Sequence, residues 1–357
     1  MNSGTASGKR RELLARVLLV VLSSGFAAAT ALLALEMRQR YRLEAWPFEA
    51  PLYVPDYLSA RDAPLRWRIS SSNGRNSLGL RNRELEPKKP GTRRILFLGD
   101  SLLWAGETSS GNLYTAVLEH RLNSRSSNRN APVEVINAGV PGYTTYQELE
   151  FLKIYGLDME PDLVVLGFVL NDLPYKYLHK PTSRNRLLGT EPAVHRYRFD
   201  PDGFPGALFG WSYLAHDVVY RGELFLKRRT QRPIFPFEER VDFYLAWKSY
   251  GWARARALIG EMKALLSERR IPLELLVFPV SDQVNDTYRK LDEAYVLYPQ
   301  SKIREICNEY AIPMLDLTDP IYRNGGAALF QDYLHLNGKG NDIVAHEIQK
   351  HLVAKGL

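Results

Sequence analysis

Cysteine is almost missing from this chain. Cys307 is the only one in 357 residues, so no internal disulfide can form and no thiolate cluster can hold a metal. Histidine is scarce and scattered, at 120, 179, 195, 216, 335, 346 and 351, and no pair has the His-Glu-x-x-His spacing of a zinc helix. Metal chemistry is therefore not expected, and no cofactor is implied. Zinc-ligand spacing, RNA-binding signatures and long basic runs are all absent. The net charge of +7 then reads as an arginine-rich solvated surface rather than a nucleic-acid site. No internal repeat is visible. With 45% hydrophobic and 24% charged residues the chain is not disordered and can bury a full core.

Charge itself is absent from Val17 to Leu35, a Leu-, Val- and Ala-rich run. At 1.5 Å per residue a helix there nearly spans a hydrocarbon core of roughly 30 Å. It reads as an uncleaved transmembrane anchor, ahead of a signal peptide cut near Ala29-Thr30-Ala31. Lys9, Arg10, Arg11 and Arg16 before it outweigh Arg38, Arg40 and Arg42 after it, which favours a cytoplasmic N-terminus and a periplasmic or extracytoplasmic domain. The expected organisation is a cytoplasmic tail and anchor over 1–43, a Pro/Arg-rich spacer over 44–92 and a main domain over 93–357.

Within the main domain, short apolar runs alternate with helical periodicity. Strands are expected at 94–98, 133–137, 162–168, 273–278 and 313–316, with helices near 111–123 and 145–155 between the first three. Trp252, Ala255, Ile259, Met262 and Leu266 form a core-facing helical stripe, Cys307 joins Ile303, Ile306 and Tyr310 as a packed thiol, and Ile343, Val344, Ile348 and Leu352 line the last helix. His346 and His351 then fall on the surface or flank of that helix. Between about 173 and 240 the pattern lapses into an aromatic-rich insertion containing Tyr175, Tyr177, Tyr197, Phe204, Phe209, Trp211 and Tyr213. These rings pack the excursion onto its domain or line a sugar or acyl groove. Lys227-Arg228-Arg229 reads as a solvated face, with contact to anionic lipid or polymer the sharper alternative.

Chemistry gathers at the carboxyl ends of the expected strands. Arg94 to Leu98 runs into Gly99-Asp100-Ser101, which delivers a serine where open α/β sheets bind ligands. Alone, the triplet is also an ordinary strand-to-helix turn with a capping side chain. Asp332-Tyr333-Leu334-His335 lies in the loop before the last helix. An Asp three residues before a His can orient the imidazole, leaving its other nitrogen to take a proton from a serine hydroxyl. Gly139 and Asn171 follow two further strands and could offer a backbone N–H and a side-chain amide to an oxyanion.

These four blocks, in this order, make residues 93 to 355 resemble the SGNH hydrolases, the GDSL esterase/lipase family. Gly99-Asp100-Ser101-Leu102 is similar to the first block, Gly139 to the glycine of the second, Asn171-Asp172 to the third and Asp332-Tyr333-Leu334-His335 to the last. One departure is plain: the third block usually reads Gly-x-Asn-Asp, and here Gly167 stands four residues before Asn171. Asn73 to Arg83, containing Asn76-Ser77-Leu78-Gly79-Leu80-Arg81, is similar to the lead-in of membrane-anchored bacterial members. The resemblance implies a flavodoxin-like three-layer α/β/α sandwich with a mainly parallel five-stranded sheet. It also implies ester hydrolysis with Ser101 as nucleophile, His335 as base and acid, Asp332 as orienting carboxylate, and Ser101, Gly139 and Asn171 as oxyanion donors. The expected substrate is an acyl ester, O-acetyl first, of a cell-envelope carbohydrate or lipid. The rival readings are an acyltransferase acting on polysaccharide and a non-catalytic polysaccharide-binding or assembly module.

Overall fold

The computed structural model describes residues 4–42, 53–55, 61, 63–65, 67–69, 71, 74–105, 109–125, 132–173, 206–209, 212–230, 232–240 and 243–356. The chain forms two compact units, Met1–Trp46 with Lys180–Gly222, and Pro47–His179 with Glu223–Leu357.

In the first unit, one helix runs Gly4–Arg42, and its Arg11–Gln39 portion is long and apolar enough to cross a membrane. Its Leu and Val side chains between Leu13 and Leu35 are exposed along the helix. Just past that run, Glu36 is buried and accepts the Tyr213 N–H at the start of a second helix, Tyr213–Arg229, of which only the part up to Gly222 belongs to this unit. That second helix lies inside the stretch where the sequence periodicity lapses. The signal is hidden because Val218, Phe225 and Leu226 face outward instead of marking a core stripe. Of the insertion's aromatics, Tyr213 is buried and Phe209 exposed, while Tyr175, Tyr177, Tyr197, Phe204 and Trp211 lie outside the described residues.

The second unit begins with an antiparallel pair, β1 (Tyr53–Pro55) and β2 (Trp67–Ile69), within the stretch expected to be a spacer. Its main sheet comprises β3 (Arg93–Gly99), β4 (Val133–Gly139), β5 (Leu163–Phe168), β6 (Leu273–Val277) and β7 (Met314–Asp316). All five are parallel, in the order β4-β3-β5-β6-β7. From β3 to β6 the strands are buried at nearly every position, because helices cover both faces and leave no water-facing side. Leu96, Phe97, Leu98, Val164, Leu166 and Phe168 show no exposed surface, and each such side chain contributes about 1.5–3 kcal/mol by leaving water. The helix Tyr114–Arg125 packs against Gly338–Ala354, and Thr145–Phe151 against Trp252–Glu268.

The expected strands and the Trp252 stripe are present. The helix expected near 145–155 is α-helical only through Phe151 and ends in a wide turn, Leu152–Gly156. Cys307 is buried, and burial pushes its thiol up to about 12. His346 is exposed, whereas His351 pairs through Nε2 with Glu274 at 2.7 Å. From β3 the chain passes first to β4 on one side and then to β5 on the other. This reversal opens a crevice at the carboxyl ends of β3 and β5, the place where ligands enter such sheets.

Candidate active site

β3 ends at Gly99, and the next residues turn at once into a short helix, Ser101–Trp104. Asp100 caps it: its Oδ1 accepts the Leu102 N–H at 2.9 Å, satisfying a donor that the helix cannot. Ser101, the first helical residue, is thereby turned out of the sheet and is half-buried.

Across the crevice, the loop before the last helix folds on Asp332. Its Oδ1 accepts the N–H groups of Leu334 at 2.7 Å and His335 at 2.6 Å, which locks the turn. Its Oδ2 takes the His335 Nδ1–H at 2.7 Å, and the Ser101 hydroxyl reaches His335 Nε2 at 2.9 Å. With Nδ1 committed to a carboxylate, Nε2 is the acceptor for the serine proton. Ser281 donates its N–H to Tyr333 O at 3.0 Å, and Phe243 meets the Tyr333 ring edge-on at 5.6 Å, so the loop is held from outside as well. Partial burial pushes the Asp332 carboxyl up. The His335 and Leu334 N–H groups and the imidazole outweigh it and leave the carboxyl below its ordinary value.

Of the three expected oxyanion donors, Asn171 and Gly139 sit differently. Asn171, buried just beyond β5, donates Nδ2–H to Asp100 Oδ2 at 2.7 Å, beside Ser101. The Gly139 N–H instead donates to Asn137 Oδ1 at 2.9 Å, within its own strand. The glycine is required for packing here, since a Cβ would lie 2.7 Å from Trp104 N and 2.8 Å from Leu103 C.

Three residues outside the four blocks also shape the site. Asn137 Nδ2 donates to Leu103 O at 2.9 Å and Thr115 Oγ1 at 3.2 Å, tying β4 to the serine-bearing helix. Asn82 Nδ2 donates to Asn137 O at 2.6 Å, and its Oδ1 accepts the Asn137 N–H at 3.2 Å, closing the edge of β4. Arg81 donates through Nη1 to Trp104 O at 2.7 Å and Ala105 O at 2.8 Å, the last carbonyls of the helix that carries Ser101. The Asn76-to-Arg81 lead-in is thus a brace: Asn76 Oδ1 accepts from Leu78 and Leu80, and Gly79 turns at φ +81 where a Cβ would meet Ile69 O. An asparagine within the otherwise apolar Val-Ile-Asn-Ala-Gly strand was the available signal for Asn137.

Behind the serine lies a second set of acids. Burial raises the Asp100 carboxyl despite the donors on it, and burial followed by the Asp100 charge raises Glu148 well above its ordinary value. Burial, then Glu148 and Asp100, do the same to Asp172. Among the described residues no group of three or more His, Cys, Asp and Glu side chains is placed to hold a metal ion.

A family model for GDSL-like lipase/acylhydrolases matches residues 97–343, from within β3 to the last helix, and includes all four blocks. The chain is an ester hydrolase built on a parallel α/β sheet. It belongs to the GDSL-like lipase/acylhydrolase family. Similar solved structures include an acetyl xylan esterase, AlAXEase, 15% identical, covering 72% of this chain and 99% of its own, with a TM-score of 0.42. The lipase/acylhydrolase from Enterococcus faecalis is 16% identical over 74% of this chain and 96% of its own, with a TM-score of 0.42. A catalytic mutant of Axe2, an acetylxylan esterase from Geobacillus stearothermophilus, is 14% identical over 73% and 94%, with a TM-score of 0.43. Comparison with curated proteins finds no match.

Proposed function

We propose that this carboxylesterase works through an acyl-Ser101 intermediate. The observation that carries the reading is the unbroken chain Asp332 Oδ2, His335 Nδ1, His335 Nε2, Ser101 Oγ, with contacts of 2.7 and 2.9 Å. A serine hydroxyl is a weak nucleophile near neutral pH, and His335 Nε2 takes its proton as Oγ attacks the ester carbonyl. The Asp332 carboxylate stabilises the imidazolium formed at that moment. His335 then returns the proton to the leaving alcohol, and a water activated in the same way releases the acid. The negative oxygen of each tetrahedral intermediate is met by the Ser101 N–H and the Asn171 amide. Gly139 N–H joins them only by exchanging its bond to Asn137 Oδ1.

The substrate in this proposal is a short acyl ester, O-acetyl first, on a cell-envelope carbohydrate or lipid. The support is the apolar helix of Arg11–Gln39 together with the basic residues Lys9 to Arg16 before it, which favour a single-pass anchor with the hydrolase outside the cytoplasm. A fluorophosphonate probe should label the wild type and leave Ser101→Ala unlabelled, with acetate release from O-acetylated polysaccharide lost in the same variant. Labelling of Ser101→Ala would overturn the nucleophile. Protease added to spheroplasts should digest the hydrolase domain, and full protection there would reverse the topology and remove envelope esters as substrates.

A further inference from the structure

At the far edge of the second unit's main sheet lies a cleft of about 720 Å³ that shares no residue with the candidate active site. Sites that hold small molecules run from roughly 300 to 1,000 Å³, so the space suffices for a ligand. The cleft opens beside Asp316, the last residue of β7, among the helices Asp286–Val296, Tyr298–Glu309 and Thr318–Arg323. All five strands are parallel, so the carboxyl end of β7 is on the same rim as Ser101. β7 is three strands from β3, about 14 Å at the usual strand spacing.

The lining selects one kind of ligand. Arg289, Arg304 and Arg323 are matched by Glu293, Asp316 and Asp319, and Leu297 is the one aliphatic side chain among the described residues there. An acyl chain finds little apolar surface in such a place. An anion meets a carboxylate beside each guanidinium, and a cation meets the reverse. A hydroxyl group suits both partners, because it donates to a carboxylate and accepts from a guanidinium at once. A neutral polyol is therefore the matching chemistry.

The polar groups are also held in place before any ligand arrives. Arg289 is 8% exposed, donates through Nη2 to Asp319 Oδ1 at 3.1 Å, and lies 3.1 Å from Glu293 Oε1. Its guanidinium stands 4.2 Å over the Tyr322 ring, while Arg304 Nη2 donates to Asp316 Oδ2 at 3.0 Å. Groups fixed in this way lose little freedom on binding. Thr318, 3% exposed, completes the wall, and its Oγ1 and the Arg289 Nε have no hydrogen-bond partner among the described residues. Buried polar atoms are nearly always paired, so these two mark a wall built for further hydrogen bonds.

We propose that the cleft is a carbohydrate subsite, holding a neutral sugar residue of the polymer whose ester group reaches Ser101. A polysaccharide lying along the rim can occupy both places, whereas a lipid ester has no group for the second. The assignment of the substrate rests on ester hydrolysis at Ser101; sugar binding by the cleft does not.

The test is calorimetric titration of the full-length protein, in a detergent without a sugar headgroup, with neutral oligosaccharides of xylose, mannose and N-acetylglucosamine. Oligogalacturonate is the acidic comparison. At least one neutral series should bind, and Arg304→Ala should weaken that binding about tenfold through lost charge-assisted hydrogen bonds. Arg304 is 56% exposed at its side chain, so the variant should keep the wild-type melting temperature. Thr318→Val, which replaces the hydroxyl by a methyl, should weaken binding in the same direction. Failure of every neutral series to bind, or binding that both variants leave unchanged, overturns the subsite. Tighter binding of oligogalacturonate than of any neutral series overturns the neutral ligand. With the O-acetylated form of the bound series as substrate, Arg304→Ala should raise KM about tenfold with a smaller change in kcat. Wild-type protein that cleaves p-nitrophenyl acetate but not this O-acetylated series overturns the substrate assignment. Sugar binding without cleavage of p-nitrophenyl acetate instead removes the esterase reading and leaves the cleft.

Discussion

Two sets of carboxyl groups lie near Ser101, and their surroundings push their proton affinities in opposite directions. Asp332 lies on the rim, in contact with solvent, and its network of N–H donors and the imidazole keeps it ionised. Glu148 and Asp172 are fully buried, where burial and mutual repulsion with Asp100 favour the protonated forms. Both Glu148 carboxyl oxygens and Asp172 Oδ1 are buried without a hydrogen-bond partner among the described residues. The same side-chain chemistry is thus pushed toward the ionised form on one side and toward the protonated form on the other, and the donors reaching each oxygen weigh against burial in setting the direction. Asp100 stands between the two regimes: it is buried like Glu148, yet receives Leu102 N–H and Asn171 Nδ2–H as Asp332 receives its own donors.

The largest test of this contrast is Asp332→Asn. Without the carboxylate, His335 loses the partner that selects its tautomer, and kcat should fall about 10³- to 10⁴-fold with the folded circular dichroism spectrum retained. Near-normal turnover would make the rim charge dispensable. Next in size, Asn171→Ala removes the amide beside Ser101 and one of the donors on Asp100. Steady-state kinetics should show kcat lower by about 100-fold or more with little change in KM. A change confined to KM would make Asn171 a substrate-binding group instead.

The smallest effect separates the two sets by stability. A carboxyl raised on folding binds its proton more tightly in the native state, so its contribution is complete in acid and is lost as pH rises from the ordinary carboxylate value through the raised one. Glu148→Gln cancels that loss. Its melting temperature should exceed that of the wild type at neutral pH by about 2–4 °C, the equivalent of about 1 kcal/mol in a domain of this size, and match it in acid. Asp332 has the reverse sign. Its stabilisation is present above the ordinary value and lost as pH falls through the lowered one, so Asp332→Asn should flatten only the acid limb of the same curve. A Glu148→Gln protein no more stable than the wild type at neutral pH would break the reading that burial raises the Glu148 carboxyl.

Much of this molecule is legible along the chain because the signals are local. A parallel strand buried on both faces must be an unbroken apolar run, so Ile95 to Leu98 and Leu163 to Phe168 announce themselves, and Trp252 to Leu266 repeats at helical spacing because one face of that helix meets the sheet. Asp332 and His335 are three residues apart and meet within one turn, so their pairing could be anticipated before any fold was known.

What the tertiary structure alone decided are the relations between residues distant in sequence. Ser101 meets His335 across 234 positions only because β3 lies inside the sheet, between β4 and β5, and the last loop returns to its carboxyl end. The Gly139 N–H turned out to be bound by Asn137, and the Arg81 lead-in proved to be a brace for the serine helix, because both depend on which backbone atoms the packing leaves within reach. The ionisation of Glu148 and Asp172 was likewise invisible, since burial and neighbouring charge, not residue type, set a carboxyl's proton affinity. The helix Tyr213–Arg229 escaped notice for the complementary reason: periodicity reveals faces that seek the protein core, and this one turns its apolar residues away from it.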